Sequence, residues 1–245
     1  MDLRNCTKQE LSQMPYEYVC EAYYQHNPNA VWILGVFFRH GKNGAPQNYE
    51  KARQLLEIAY EYEGAGSGFI LGNIYEEGLG TTVDLKKAED YYCAFSEETH
   101  DPTGYSAAAF LYLKNENLPN RDEKIPEYLK KSEALGGCPL SDTLIGQLYI
   151  AGTPDFPKDI NKAVFYLERS KNYKILGDLF SDEKNIEPNY KLASYYYELG
   201  MSDNMDCCAK YAFLNLYYGS INESWTNVSK GISVAKKSVS YTHLR

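Results

Sequence analysis

The chain has 245 residues, 44% of them hydrophobic and 24% charged, a composition that excludes a disordered polymer and allows one large domain or two ordinary ones. A net charge of −8 with no basic stripe excludes an ordinary nucleic-acid binder, and no run approaches 18 consecutive apolar residues, which excludes a membrane-spanning helix. The departure from the norm is tyrosine, with 24 residues against 9 Phe and 2 Trp. Tyr is amphipathic and suits half-buried positions that recur on many short helices.

Residues 1–28 read as an N-terminal helical segment. Residues 1–13 are polar and mixed in charge, with no apolar stretch of the secretory kind, so a cytoplasmic location is expected. Residues 13–24 have the pattern of one helix, with Pro15 near its first turn, where a missing N–H costs nothing. Ala22 precedes Gly35 by 13 residues, as Ala59 precedes Gly72, so this helix is expected to be the second half of an incomplete repeat.

Residues 29–238 form the repeat region. The stretches 34–38 (Leu-Gly-Val-Phe-Phe), 71–75 (Leu-Gly-Asn-Ile-Tyr), 145–149 (Ile-Gly-Gln-Leu-Tyr) and 176–180 (Leu-Gly-Asp-Leu-Phe) share one pattern. Their anchor glycines are Gly35, Gly72, Gly146 and Gly177, at steps of 37, twice 37 and 31 residues. Ala109 fills the midway position of a degenerate third copy, and Phe213 the anchor of a weaker sixth. Leu, the small residue and the aromatic share one side of a helix, here helix A, where lost bulk at the anchor admits another helix. Gly41, Gly78 and Gly152 follow six residues after their anchors and are expected to end helix A in the left-handed conformation. Asn48, Asp84, Asp159, Asn189 and, in copy six, Asn227 then precede a second helix, B, each placed to cap a free N–H. Four residues on stand Ala52, Ala88, Ala163, Ala193 and Gly231, again small. Helix B ends in tyrosine-rich stripes such as Tyr91-Tyr92 and Tyr195-Tyr196-Tyr197. The register of these rings makes them inter-helix core rather than a stacking platform for bases or sugars. Neither helix can bury its stripe alone, so the pairs must stack.

The run from Leu71 through Gly72, Tyr75, Gly78, Gly80, Asp84, Lys87 and Ala88 to Tyr91 and Tyr92 resembles the Sel1-like repeat family, a relative of the tetratricopeptide repeat. Anchor Gly to helix-B Ala is 17 residues in copies one and four and 16 in copies two and five, against about 12 in the tetratricopeptide pattern. The resemblance covers roughly residues 15–238. It implies an all-α fold, a right-handed α-α superhelix (solenoid) of about six helix-turn-helix repeats of 36–37 residues. Copy three lacks both glycines and carries Pro126 early in helix B, copy five has Glu183 at the second glycine, and copy six has Phe213 and Gly231 at its small positions.

Residues 239–245 continue no pattern and look like a translated sequencing adaptor, so they are expected to be a non-native tail, with the natural chain continuing past Ser238. No catalytic, metal-binding or cofactor-binding residue stands out. His26, His40 and His100 each stand alone, the six cysteines make no CxxC pair, and Ser181-Asp-Glu-Lys184 matches Ser-x-x-Lys without companion motifs. The glycines of 64–68 read as an inter-repeat turn, and Lys51, Lys87 and Lys162 as solvated helix surface. The sequons at Asn5, Asn222 and Asn227 carry little weight without a leader.

Stacked helix pairs curl, and the A helices are expected to line the concave side. By analogy with the related repeat, positions three before and one, four and five after the anchor should face a partner. These are Trp32, Val36, Arg39 and His40 in copy one, Phe69, Asn73, Glu76 and Glu77 in copy two, and Phe110, Leu113 and Lys114 in copy three. Gln147, Ile150, Asp178 and Asp182 extend the face through copies four and five. Trp32 and Phe69 are expected to be its exposed aromatic anchors. The expected function is a non-enzymatic adaptor or scaffold that holds a protein or peptide. The alternative is a module of a larger hydrolase or cell-wall-related enzyme cut at its C-terminus.

Overall fold

The computed structural model describes residues 1–220 and 226–242, and they are all-α: fourteen helices and one 3-10 turn, with no strand among them. Two short helices open the chain, α1 (Lys8–Gln13) and α2 (Tyr16–Tyr24). Six helix pairs follow: α3 (Pro28–His40) with α4 (Tyr49–Glu63), α5 (Gly68–Glu77) with α6 (Leu85–Thr99), and α7 (Thr103–Lys114) with α8 (Arg121–Ala134). The last three are α9 (Pro139–Ala151) with α10 (Ile160–Arg169), α11 (Tyr173–Ser181) with α12 (Tyr190–Gly200), and α13 (Met205–Ser220) with α14 (Val228–Thr242). They are the six copies in order. The chain divides into two compact units, Met1–Ser141 and Asp142–Arg245, with the boundary in the first turn of α9.

The local rules that make each pair are visible atom by atom. Gly41, Gly78 and Gly152 have φ of 62°, 69° and 76°, the left-handed region that a side chain resists. Copy five lacks that glycine, and its helix α11 stops a residue earlier, at Ser181, with Asp182 extended. Helix B starts on a side-chain cap in each regular copy: Asn48, Asp84, Asp159 and Asn189 accept from the N–H groups of Lys51, Lys87, Lys162 and Leu192 at 2.9–3.1 Å. Asn227 does the same for Lys230 at 3.0 Å. The same cap residues also latch the loop. Their own N–H groups donate to the carbonyls of Phe38, Tyr75, Tyr149 and Phe180 on helix A, at 2.8, 2.9, 3.1 and 2.8 Å. Each long inter-helix loop is thereby closed at both ends, and the residue that separates spacing 17 from spacing 16 lies inside it.

Packing within a pair turns on the anchor. A Cβ on Gly35 or Gly146 would lie 2.7 Å from Leu56 or Leu167, and one on Gly72 or Gly177 would lie 2.4 Å from the ring of Tyr92 or Tyr197. Those partners sit four residues after the helix-B alanines Ala52, Ala163, Ala88 and Ala193, all fully buried. The copies with spacing 17 therefore seat a Leu on the anchor, and those with spacing 16 seat a Tyr. The tyrosine stripes are core as the register indicates, with Tyr92, Tyr196 and Tyr197 at 1%, 5% and 2% exposure, although Tyr195 is exposed.

Several local details add to this picture. The first helical segment is two helices, because Thr7 and Glu10 form a reciprocal capping box for α1 and Pro15 stands before α2 rather than in it. The Thr-x-x-Glu spacing is the signal for it. Residues 65–67 form a 3-10 turn, tied by the Glu98 carboxylate to the Ala65 N–H at 2.9 Å. Helix α14 runs to Thr242, four residues past Ser238. Residues 243–245 of the tail and the sequon residue Asn222 lie outside the described residues.

Candidate functional site: the exposed face of the A helices

In the first unit, Trp32 and Phe69 are not the exposed anchors the register suggests. Trp32 is half-buried against Leu56, Leu71 and Ile74, with the Lys8 ammonium 5.3 Å above its ring. Phe69 is half-buried between Tyr92 and Phe95, with ring centroids 5.6 and 5.7 Å away. The cause is tertiary: neighbouring helices cover rings that helical periodicity alone places at an edge. Val36, Arg39 and Leu113 are also half-buried, while His40, Glu77, Phe110 and Lys114 are exposed. Partial burial, then the nearby charges of Arg39 and Lys42, push the His40 imidazole below its ordinary value. Asn73 turns back to donate to the Phe69 carbonyl at 2.7 Å.

Glu76 is the centre of a polar node. The Tyr92 hydroxyl, reaching past Gly72 from helix B, donates to it at 2.8 Å, and Lys114 of the next A helix pairs with it at 3.2 Å. Burial and the facing carboxylates raise the Tyr92 phenol, so it stays a donor at any physiological pH. Phe110, 41% exposed, lies one helical turn before Lys114.

The second unit builds the same node with other residues. Tyr197, seated on Gly177, donates to Asp178 at 2.8 Å, and Lys210 of the next A helix pairs with Asp178 at 2.6 Å. Lys174 pairs with it from its own helix at 2.8 Å. Burial alone would raise the Asp178 carboxyl, but hydrogen bonds from Lys174, Lys210 and Tyr197 outweigh it and hold the group below its ordinary value. Phe213 lies three residues after Lys210 and is 63% exposed. Of the remaining register positions, Gln147 is exposed and Ile150 packs on the Leu167–Leu176–Tyr196 cluster. Asp182 accepts from the Lys184 N–H at 3.0 Å. Lys210 and Phe213 belong to copy six, and extending the same register one copy further picks out Lys210 and its neighbours.

The chemistry-bearing motifs resolve into structural roles. Ser181 meets the Tyr197 hydroxyl at 3.0 Å, whereas the Lys184 ammonium pairs with Asp182 at 3.9 Å, so the Ser-x-x-Lys pair does not form a nucleophile and base. His100 is the left-handed C-cap of α6, and His26 has φ 62° just past α2. Lys51, Lys87 and Lys162 are exposed as expected, each lying 4.8–5.5 Å over the aromatic three residues after its anchor, Phe38, Tyr75 and Tyr149. Among the described residues no His, Cys, Asp and Glu cluster could hold a metal ion, and no helix is long and apolar enough to cross a membrane.

A buried carboxylate in the first unit has no counterpart in the sequence reading. Glu89, 4% exposed, accepts from Tyr112 at 3.0 Å and from Tyr128, and pairs with Lys86 at 3.1 Å. It ties helix B of copy two to both helices of the degenerate copy three, and lies in the packed interior.

Comparison with known proteins places this architecture. The Sel1 repeat family model matches residues 28–61, 69–100, 140–172 and 176–201. A Sel1 repeat protein from Oxalobacter formigenes superposes with a TM-score of 0.71 at 17% identity, over 96% of this chain and all of that one. A protective antigen of uropathogenic Escherichia coli, described as displaying an SLR fold, does so with a TM-score of 0.65 at 18% identity, over 96% of this chain and 49% of the antigen. Cytochrome c oxidase assembly factor 7 of Xenopus tropicalis is 26% identical over 178 residues, covering 69% of this chain and 75% of the factor. With just over half of its residues matched by the family model and six helix pairs filling the register, the chain belongs to the Sel1 repeat family.

Proposed function

We propose that the protein is a non-enzymatic adaptor that holds a protein or peptide on the exposed faces of its A helices. The observation that carries this reading is the recurrence of one arrangement in both units. In each, a helix-B Tyr reaches a carboxylate on helix A, a Lys from the next A helix bridges to it, and a Phe beside that Lys is exposed. A rigid charged frame around an exposed apolar side chain is what a docking surface needs. His40, Glu77, Phe110, Lys114 and Gln147 are the exposed members of the register-derived face, with Glu76 and Asp178 as its fixed charges. The net charge of −8 favours a protein over a nucleic acid as partner. Similarity to a protein named as an assembly factor fits an adaptor. The six free thiols fit a reducing compartment, the cytoplasm.

The test is a photo-cross-linking residue placed at Phe110, with the full chain expressed in the source cells. A discrete adduct that is lost on adding Lys114→Glu supports the reading. Its absence at both Phe110 and Gln147 counts against it.

A further inference from the structure

We propose that a groove between the ends of helices α2 and α4 takes a basic stretch of a partner polypeptide, with an Arg or Lys side chain laid on its tyrosine rings. The groove has a volume of about 620 Å³ and lies wholly within the first unit. Its walls are Tyr23 and Tyr24 at the end of α2, Pro28 and Val31 at the start of α3, and Ala59 and Tyr62 toward the end of α4. Tyr62 is 84% exposed and Tyr24 77%. Tyr23 and Tyr24 meet edge to face, with ring centroids 5.8 Å apart.

Charge decides the occupant. The whole net charge of −8 resides in the first unit: residues 1–141 hold 21 acidic and 13 basic side chains, whereas residues 142–245 hold 12 of each. Around the groove the local features carry the same sign. Helices α2 and α4 both finish without a cation in the last turn, so the negative ends of their dipoles are uncompensated. Glu21 stands in the last turn of α2, and Glu61 precedes Tyr62 in that of α4. Glu61 is exposed and makes no hydrogen bond or ion pair among the described residues. Glu21 accepts from the neutral Gln25 amide at 3.0 Å and lies 3.9 Å from the N-terminal ammonium. The positive end of α3 is closed to an anion, because Asn27 accepts from the Asn29 N–H at 2.9 Å and Pro28 has no N–H to offer.

The rings add a second attraction, since the face of a tyrosine draws a cation. Elsewhere the chain supplies its own, with Lys51, Lys87 and Lys162 over Phe38, Tyr75 and Tyr149, and Lys230 over Tyr211. Among the described residues no Lys or Arg lies over Tyr23, Tyr24 or Tyr62, which leaves these faces open to a partner's cation. An acidic partner is repelled here, and an apolar helix would strip water from Glu61 without pairing it. A basic stretch answers both features, and Arg does so best, because its planar guanidinium stacks on a ring while its N–H groups reach a carboxylate. A groove of this size holds several residues rather than a lone ion.

The groove shares no residue with the face around Phe110, so the two surfaces stand or fall separately. It is tested by fluorescence anisotropy of the full chain with fluorescein-labelled peptides of about ten residues, built from Arg-Ser, Lys-Ser, Glu-Ser or Gly-Ser repeats. Saturable binding of the Arg-Ser and Lys-Ser peptides alone is expected. Diffuse attraction to an acidic chain would give the same ranking, so the decisive variants leave the charge unchanged. Tyr24→Ala and Tyr62→Ala should each weaken binding about tenfold, and Tyr62→Phe, which keeps the ring, should bind like the parent. Glu61→Lys should weaken it as well, because attraction becomes repulsion. Tyr195→Ala, an equally neutral change at an exposed ring of the second unit, should have no effect. Tyr24 and Tyr62 are more than three-quarters exposed, and an unchanged far-ultraviolet spectrum certifies each variant as folded. The proposal is overturned if the basic peptides fail to bind, if the Glu-Ser or Gly-Ser peptide binds as well, or if Tyr24→Ala and Tyr62→Ala bind as tightly as the parent. If it is overturned while the Phe110 cross-link still forms, the adaptor reading stands and only this groove is misassigned.

Discussion

Gly72→Ala adds one methyl group where the ring of Tyr92 already stands. The new Cβ would lie 2.4, 2.5 and 2.9 Å from three ring atoms, about 1 Å inside ordinary carbon contact. The ring cannot simply withdraw. Its hydroxyl is held by Glu76 at 2.8 Å, and its face packs against Phe69. Overpacking of this kind costs up to about 3 kcal/mol, and the better helix propensity of Ala returns about 1 kcal/mol, so a net loss of about 2 kcal/mol is expected. In a Tyr92→Ala background the clash is gone and the same substitution should stabilise by about 1 kcal/mol, a coupling of about 3 kcal/mol. Urea unfolding followed by circular dichroism supplies the free energies. Because repeat chains can unfold in steps, amide exchange of α5 and α6 supplies the local measure. If Gly72→Ala is neutral in the parent, or costs the same in both backgrounds, the close-approach account of the anchor is wrong.

Helix capping gives a second expectation: Asp84→Ala should cost about 1 kcal/mol and Asp84→Asn only a few tenths, read from the same unfolding curves. Acid sensitivity gives a third. Burial raises the Glu89 carboxyl, but hydrogen bonds from Tyr128, Lys86 and Tyr112 outweigh it and hold the group below its ordinary value. A depressed carboxyl contributes stability above its unfolded pKa and loses it as pH falls through the folded one, so stability should decline below about pH 4.5. Glu89→Gln should flatten that decline and cost about 2 kcal/mol at neutral pH, measured as unfolding midpoints across a pH series. Thiol chemistry gives a fourth, since burial pushes Cys93 and Cys207 up to about 11. Mass-resolved alkylation at pH 8 should leave both unmodified in the native chain and label them on unfolding, and rapid native labelling of either would contradict their placement.

What the sequence discloses here is whatever is local. A left-handed C-cap, an Asx N-cap and a close approach each depend on a few neighbouring residues, so Gly41, Asp84 and Gly72 carry their roles openly. The latch from each cap N–H to helix A is equally regular but involves only backbone, and no side chain advertises it. Exposure is another matter. Trp32 and Phe69 hold the same register position, three before the anchor, and neighbouring helices half-cover both, whereas Phe110, one after its anchor, is left exposed. The Tyr92–Glu76–Lys114 node joins residues up to 38 apart, and the Glu89 cluster up to 39, distances at which pattern reading has no grip. Copy six is one of the weaker copies in sequence, yet its helix A supplies Lys210, Phe213 and Tyr217 to a cleft of the second unit.

The alternation of anchor partners has a historical reading. Leu on glycine, Tyr on glycine, then a copy without the glycine: the order Leu56, Tyr92, Ala109 recurs as Leu167, Tyr197, Phe213, with spacings of 17 and 16 in the same places. Growth by copying single repeats would make adjacent copies most alike, whereas here the likeness skips to the third neighbour. Duplication of a three-repeat unit would leave this order of anchor partners, with the triplet as the unit of inheritance. Chimaeras cut at triplet boundaries would keep every anchor with its own partner and loop length, while exchanging a first repeat for a second would not.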